Sequence, residues 1–413
     1  MEDAQDLKSL VLMAAVDHGY ADIVRQIVER GGADVNGRYA LGNTALMSAV
    51  DHGHAEVADL LIALGAIVDA QNDVGNTALI VACIKGHAAL ARFLLEQGAN
   101  VNGRNNRGNT PLIFASQRGS AEMVDMLIAR GAIVDGRNND GETALMSASR
   151  QNLAEIAEML LARGADIEAR NNHGNTALVV ACIRGLAEIA EMLLARGANI
   201  ETRNNHGNTV LMLTSRSNQS EVVRLLVARG AIVDAHTDRG STALMVACHH
   251  GLAEMARLLL ELGANVDARK TGGITSLVLA CCKGHTEIVR LLLEHDANVD
   301  ACAEANATTP LLIACDKGHT EIARLLIERG ANVNARTADN GISPLHLSFR
   351  IHTEIVRLLL KRGADTRARD GEGKRPLDYA SARDLVKILT EAELRQDAAR
   401  LIQTRWRFIV AKK

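Results

Sequence analysis

"GNTALMSAVDHGHAEVADLLIALGAIVDAQNDV" (Gly42–Val74) runs directly into "GNTALIVACIKGHAALARFLLEQGANVNGRNNR" (Gly75–Arg107). Both strings open on Gly-Asn-Thr-Ala-Leu, break an apolar run with a glycine, and close on a polar stretch. Further copies open at 108, 141, 174, 207, 240 and 273, each 33 residues after the last. Looser copies open at 307, 341 and 373, and one more near Lys8, which makes twelve. Self-similarity at this period is the mark of stacked supersecondary units. The chain therefore divides into a short N-terminal segment (1–7), a repeat array (8–390) and a C-terminal segment (391–413).

Each unit reads as helix, turn, helix and extended loop. Thr44 stands where an N-cap belongs, just before an apolar run. Pro111, Pro310, Pro344 and Pro376 occupy the next position, the first of the helix, where a missing N–H costs nothing. Gly53 ends the first helix, and Asn152 and Asn218 take its place in two units. Val57, Leu60 and Leu61 mark the buried face of the second helix, which Gly65 closes. Asp296 replaces that glycine in one unit. Neither helix can bury its apolar face alone, so stability must come from stacked neighbours. Aromatics are only 2% of the residues while hydrophobics reach 47%. Small aliphatic side chains must therefore fill an all-α interior.

The unit resembles the ankyrin repeat from residue 8 to about 390. The usual Thr-Pro-Leu-His opening of that family is mostly Thr-Ala-Leu here, and only "SPLH" (Ser343–His346) keeps the histidine. The resemblance implies an all-α solenoid of about twelve helix-turn-helix units with finger-like loops. Its fingers and first helices would line a concave surface that binds another protein.

The end of each first helix should face that surface. Asp17-His18 and Asp51-His52 stand there in the first two units. Lys85, Arg118, Arg150, Arg184, Arg216, Lys283, Lys317 and Arg350 stand there in eight of the next nine units, and His249-His250 in the other. The second helices instead carry acids, among them Glu56, Asp59, Glu122, Asp125, Glu155, Glu158, Glu188 and Glu191. A near-neutral total of -3 thus hides a segregated charge. One reading is a basic groove for an acidic partner segment. The other is that each cation complements the dipole at its helix C-terminus. The fingers, "RNNHGNT" at Arg170–Thr176 and Arg203–Thr209 and "RNNRGNT" at Arg104–Thr110, suit tight turns with locally bonded amides. They would also suit an amide-rich contact strip.

Cys83, Cys182, Cys248, Cys281 and Cys315 share one register in the first helix. Equivalent positions should lie about 8–10 Å apart, too far for a disulfide. The spacing Cys83…His87, repeated at Cys281…His285 and Cys315…His319, does not converge four ligands as a closed zinc site requires. Small core thiols are the better reading, and no cofactor is expected. Phosphate-binding, zinc-protease and serine-elbow motifs are missing from the sequence, so an enzyme is not expected. No aromatic recurs beside the cations, so neither is a nucleic-acid partner. No apolar run approaches the roughly twenty residues of a membrane span. "MEDAQDLKSL" lacks the basic-then-apolar order of a secretory leader, and seven cysteines suit a reducing compartment. An intracellular, cytoplasmic (or nuclear) monomer is the expectation.

"AARLIQTRWRFIVAKK" (Ala398–Lys413) falls outside the period and holds the single tryptophan. Ile402, Trp406, Ile409 and Val410 fall on one helical stripe. Arg395, Arg400, Arg405, Arg407, Lys412 and Lys413 oppose a single acid, Asp397. This is a basic amphipathic helix, a pattern suited to calmodulin-type targets or membrane surfaces. Ile402-Gln403, then Arg407, then Lys412 resembles the IQ motif, Ile-Gln-x-x-x-Arg-Gly-x-x-x-Arg/Lys, with Phe408 at the glycine position. That resemblance implies recruitment of calmodulin or a related EF-hand light chain at 398–413. Ile402 would be the apolar anchor and Gln403 a backbone-binding amide. Arg407 and Lys412 would meet acids, and Trp406 is usual for the motif. Thr390 and Glu393 have capping-box spacing, which would start a new helix there. The alternatives are a helix that only caps the array and one that lies on an anionic membrane.

Overall fold

The computed structural model describes residues 2–303, 306–348, 353–380 and 383–410; for residues 2–6, 404, 405 and 407–410 it describes the backbone only. Among the described residues the secondary structure is helical, in twelve successive pairs, with isolated bridges inside fingers and no strand. The chain forms two compact units, Met1–Asn205 and His206–Lys413. Each contains six pairs.

In the first unit the leading helices are Glu2–Asp17, Ala45–His52, Ala78–Lys85, Pro111–Arg118, Ala144–Arg150 and Ala177–Ile183. Each packs on the next leading helix within the unit, and the trailing helices follow the same order. The second unit repeats the scheme from Val210–Arg216 through Ala243–His250, Ser276–Lys283 and Pro310–Lys317 to the short Pro344–Leu347. Its last leading element is a 3-10 turn, Pro376–Tyr379.

Local chemistry explains the pairs. Thr44, Thr77, Thr110, Thr143, Thr176 and Thr209 each accept a hydrogen bond from the backbone N–H three residues on, and Thr242, Thr275 and Thr309 do the same. One orphan donor per helix is thereby satisfied, an effect worth about 1 kcal/mol. Only Ser343 adds the histidine: His346 Nδ1 accepts from the Ser343 N–H at 3.2 Å, and Nε2 lies 3.3 Å from the Lys374 carbonyl. The chain leaves its helices through left-handed residues. Asn152, Asn218 and Asp296 sit at φ 60°, 58° and 59°, the conformation that glycine supplies at Gly53 and Gly65.

Val57, Leu61, Leu94, Leu127 and Leu160 are fully buried, as are Leu259, Leu292 and Leu326 in the second unit. Each contributes about 1.5–3 kcal/mol on burial, and none could do so within its own pair.

The finger loops differ between the units. In the first, most of the finger asparagines bond to neighbouring repeats. Asn72, Asn105 and Asn138 donate through Nδ2 to the Oδ1 of Asn43, Asn76 and Asn109 at 2.7–2.9 Å. Asn106, Asn139, Asn172 and Asn205 donate to the carbonyls of Asp73, Asn106, Asn139 and Asn172 at 2.7–2.9 Å. The guanidinium of Arg137 reaches the carbonyls of Gly141 and Arg170. These amides hold repeat to repeat, so the strip they form has few donors left for a partner. The second unit keeps the backbone links, Thr271 N to Arg239 O and Gly371 N to Asn340 O, but its fingers lack the asparagine pairs.

Candidate binding surfaces

The expected basic positions divide by what stands beside them. Lys85 is exposed, and its Nζ lies 3.0 Å from Asp51 of the preceding repeat. Arg118 donates to the Lys85 carbonyl at 3.4 Å. Arg150 pairs with Glu142, a carboxylate whose side chain is 11% exposed. Arg184 is exposed and has no ion-pair partner among the described residues. In the second unit Arg216 and Lys283 are exposed and likewise unpaired among the described residues. Lys317 lies 3.8 Å from its neighbour Asp316. Arg350 lies outside the described residues.

Glu142 was not legible as a partner from periodicity alone. It occupies the position that asparagine holds in most other first-unit repeats, and that departure is the signal. Near the N-terminus Asp17 has a comparable role, accepting from the Ser48 hydroxyl and lying 3.9 Å from His52 Nδ1.

The opposite face is not simply acidic. Glu122 pairs with Arg92 at 2.9 Å, Asp125 with Arg163 at 2.7 Å and Glu158 with Arg196 at 3.1 Å. In the second unit Glu261 pairs with Arg224 at 3.6 Å and Glu321 with Arg290 at 3.5 Å. The expected acidic side is thus an interleaved network. Sequence spacing marks the acids but not the arginines that reach them from adjacent repeats. Each exposed pair contributes only ~0.2–1 kcal/mol.

Cys83, Cys182, Cys248, Cys281 and Cys315 are buried free thiols. Burial pushes Cys83, Cys248 and Cys315 up to about 12 and Cys281 higher still, which leaves them unreactive. His87, the would-be partner of Cys83, turns its Nε2 toward the Asp51 carbonyl at 3.4 Å. Among the described residues no group of three or more metal-ligating side chains is placed to hold an ion.

The C-terminal segment is not a separate helix. A single helix spans Arg383–Val410, so the 390/391 boundary falls inside it. Thr390 does not start a helix: its hydroxyl donates back to the Val386 carbonyl at 2.8 Å, as mid-helix threonines do. The N-terminal half of the helix docks on the last repeats. Leu385 and Leu389 are buried. Gln396 Nε2 donates to the Ala364 carbonyl at 2.8 Å, and its Oε1 accepts from the Thr366 hydroxyl at 2.9 Å. Arg367 pairs with Asp397, and Arg400 reaches Asp365 at 3.7 Å. Beyond Arg400 the character changes: Leu401, Ile402 and Trp406 are 71%, 68% and 68% exposed, and Gln403 is exposed as well. Of Arg407 only the backbone is described, and Lys412 lies outside the described residues.

Capped helix pairs, left-handed exits and finger loops define the chain as a helical repeat solenoid. Triple ankyrin repeats match residues 12–105, 101–171, 137–204, 178–270 and 265–337, and a single ankyrin repeat matches 340–371. The chain belongs to the ankyrin-repeat family, whose arrays serve generally as non-enzymatic scaffolds for protein partners. These matches end at residue 371. No curated protein matches the chain. Among the described residues no helix is long and apolar enough to cross a membrane.

Proposed function

We propose that this chain is a non-enzymatic display scaffold that holds one protein on the leading-helix face of its repeats and recruits an EF-hand protein through its C-terminal helix. The first partner carries acidic segments, met by Lys85, Arg118, Arg150, Arg184, Arg216, Lys283, Lys317 and Arg350. The second is calmodulin or a related light chain, gripping Ile402, Gln403, Trp406, Arg407 and Lys412. One observation carries the recruitment reading. The docked helix continues past Arg400 with Leu401, Ile402 and Trp406 open to solvent. A basic helix with an uncovered apolar stripe is what an EF-hand lobe engages. Trp406 reports on it directly. Titrating calmodulin, with and without calcium, should shift its emission at micromolar protein; unchanged emission in both conditions rejects calmodulin as the partner.

The bonds made by Gln396, Asp397 and Arg400 favour a second role for the same helix, shielding the end of the array. The two roles occupy different stretches. Removing 401–413 should abolish recruitment and leave the melting profile unchanged. Removing 395–413 should also loosen the last repeats, by about 1–2 kcal/mol for the lost hydrogen bonds.

A further inference from the structure

Ala243–His250 ends on His249-His250 where eight other repeats place a lysine or arginine. Beside it, Ser241, Met245, Val246, His249, His250, Lys270 and Leu279 line a pocket of about 240 Å³. Met245 is almost fully buried, while Val246 and Leu279 are partly open. The pocket therefore has an apolar floor and a cationic rim. The two imidazoles meet edge to face with centroids 5.1 Å apart.

The charged groups that act on His249 in this pocket are all basic. Burial, then Lys283, His250, Lys270 and His285, holds the His249 pKa below the usual histidine range. Lys317, Lys283 and Lys270 likewise bear on the exposed thiol of Cys282, though its burial outweighs them and raises its pKa. Neither Lys270 nor Lys283 has an ion-pair partner among the described residues. In the first unit Lys85 and Arg150 at equivalent positions have carboxylates beside them. Like charges gathered without counter-charge cost stability, and an anionic ligand would relieve that cost.

We infer that this pocket is the anchoring site for an acidic peptide, seating one aliphatic side chain on Met245, Val246 and Leu279 between carboxylates held by Lys270, Lys283 and the two histidines. The inference rests on the basic-face reading proposed above and narrows it to one repeat. The volume falls short of the ~300–1,000 Å³ of small-molecule sites but admits one side chain. Lysine and imidazole are point donors suited to scattered carboxylates, whereas phosphate recognition favours the arginine fork. A bound anion would also favour protonated His249. The charged groups that act on its pKa are Lys283, His250, Lys270 and His285, all of them bases. Affinity should therefore rise as pH falls from 8 to 6.

The test is fluorescence anisotropy on the full chain with a rhodamine-labelled Glu-Asp-Leu-Asp-Glu peptide at low salt, and with the same peptide bearing phosphoserine in place of leucine. The leucine peptide should bind, about tenfold more weakly to K270E/K283E and by a clearly smaller factor to R118E/R184E. It should tighten severalfold between pH 8 and pH 6, and H249Q/H250Q should remove that gain while keeping the same circular dichroism. Equal weakening by R118E/R184E would overturn the pocket and leave the broader basic face standing. Tighter binding of the phosphoserine peptide would overturn the aliphatic anchor. No binding of either peptide would overturn the pocket and the basic face together.

Discussion

The two units are built from the same repeat but use their polar residues differently. In Met1–Asn205 the finger amides bond to the neighbouring finger, and Lys85 and Arg150 sit against Asp51 and Glu142. In His206–Lys413 the fingers read His-Thr-Asp-Arg-Gly-Ser-Thr (His236–Thr242) or Arg-Lys-Thr-Gly-Gly-Ile-Thr (Arg269–Thr275), without the asparagine pairs. Arg216, Lys270 and Lys283 are unpaired there among the described residues. Side-chain bonds that stabilise a repeat are not available to a ligand. The first unit is thus the half whose finger amides and Lys85 and Arg150 are met internally, Arg184 excepted, whereas the second leaves Arg216, Lys270 and Lys283 unmet among the described residues.

The largest expected difference concerns the fingers. Asn138 donates to Asn109 Oδ1 at 2.8 Å and accepts from the Asp140 and Glu142 amides at 3.0 and 2.9 Å. Asn138→Ala should weaken local protection of those two amides in native-state hydrogen exchange by about 2–3 kcal/mol. Thr271→Val, which removes one exposed 3.1 Å bond to the Arg239 carbonyl, should cost under about 1 kcal/mol. Equal losses would erase the contrast.

Next come the cations. Arg150→Ala leaves the Glu142 carboxylate, 11% exposed, without its partner, and should cost about 2 kcal/mol. Lys283→Ala breaks no ion pair and should stay within about 0.5 kcal/mol in thermal unfolding. A comparable loss at Lys283 would mean that it, too, serves stability.

The smallest effect is local to the second unit and set by pH. Burial holds the His346 pKa below 6.5, against an opposing contribution from its bond to the Lys374 carbonyl. The unfolded histidine then binds a proton more readily than the folded one. Its contribution is complete above pH 6.5 and is lost as pH falls through that value toward the lower folded pKa. Exchange at the Ser343 amide should accelerate between pH 7 and pH 5 after correction for the intrinsic rate. His346→Gln should flatten that dependence.

Much of the fold was legible because a repeat states its rules many times. Threonine caps, the asparagines at 152 and 218, and the buried triad of Val57, Leu60 and Leu61 follow from local chemistry and period. What periodicity does not convey is which side chain of the next repeat lies opposite. The Asn–Asn ladder, the Arg163–Asp125 pair and the Arg150–Glu142 pair all join residues by stacking or by a departure from the repeat. The tail shows the same limit. Its amphipathic stripe was readable, but Gln396 as a docking residue was not, because the helix starts at Arg383 without a break at Thr390.

The central claim is that the unmet charge beside His249 and Lys283 is where an acidic partner sits. Cys282 is the exposed thiol within reach of Lys270, Lys283 and Lys317, and Cys302 is a partly exposed thiol in a finger of the same unit. The alkylation rate of each should be followed by mass spectrometry on the full chain with and without saturating Glu-Asp-Leu-Asp-Glu peptide. Cys282 should be protected severalfold while Cys302 reacts as before. Equal rates at Cys282 with and without the peptide would contradict the claim.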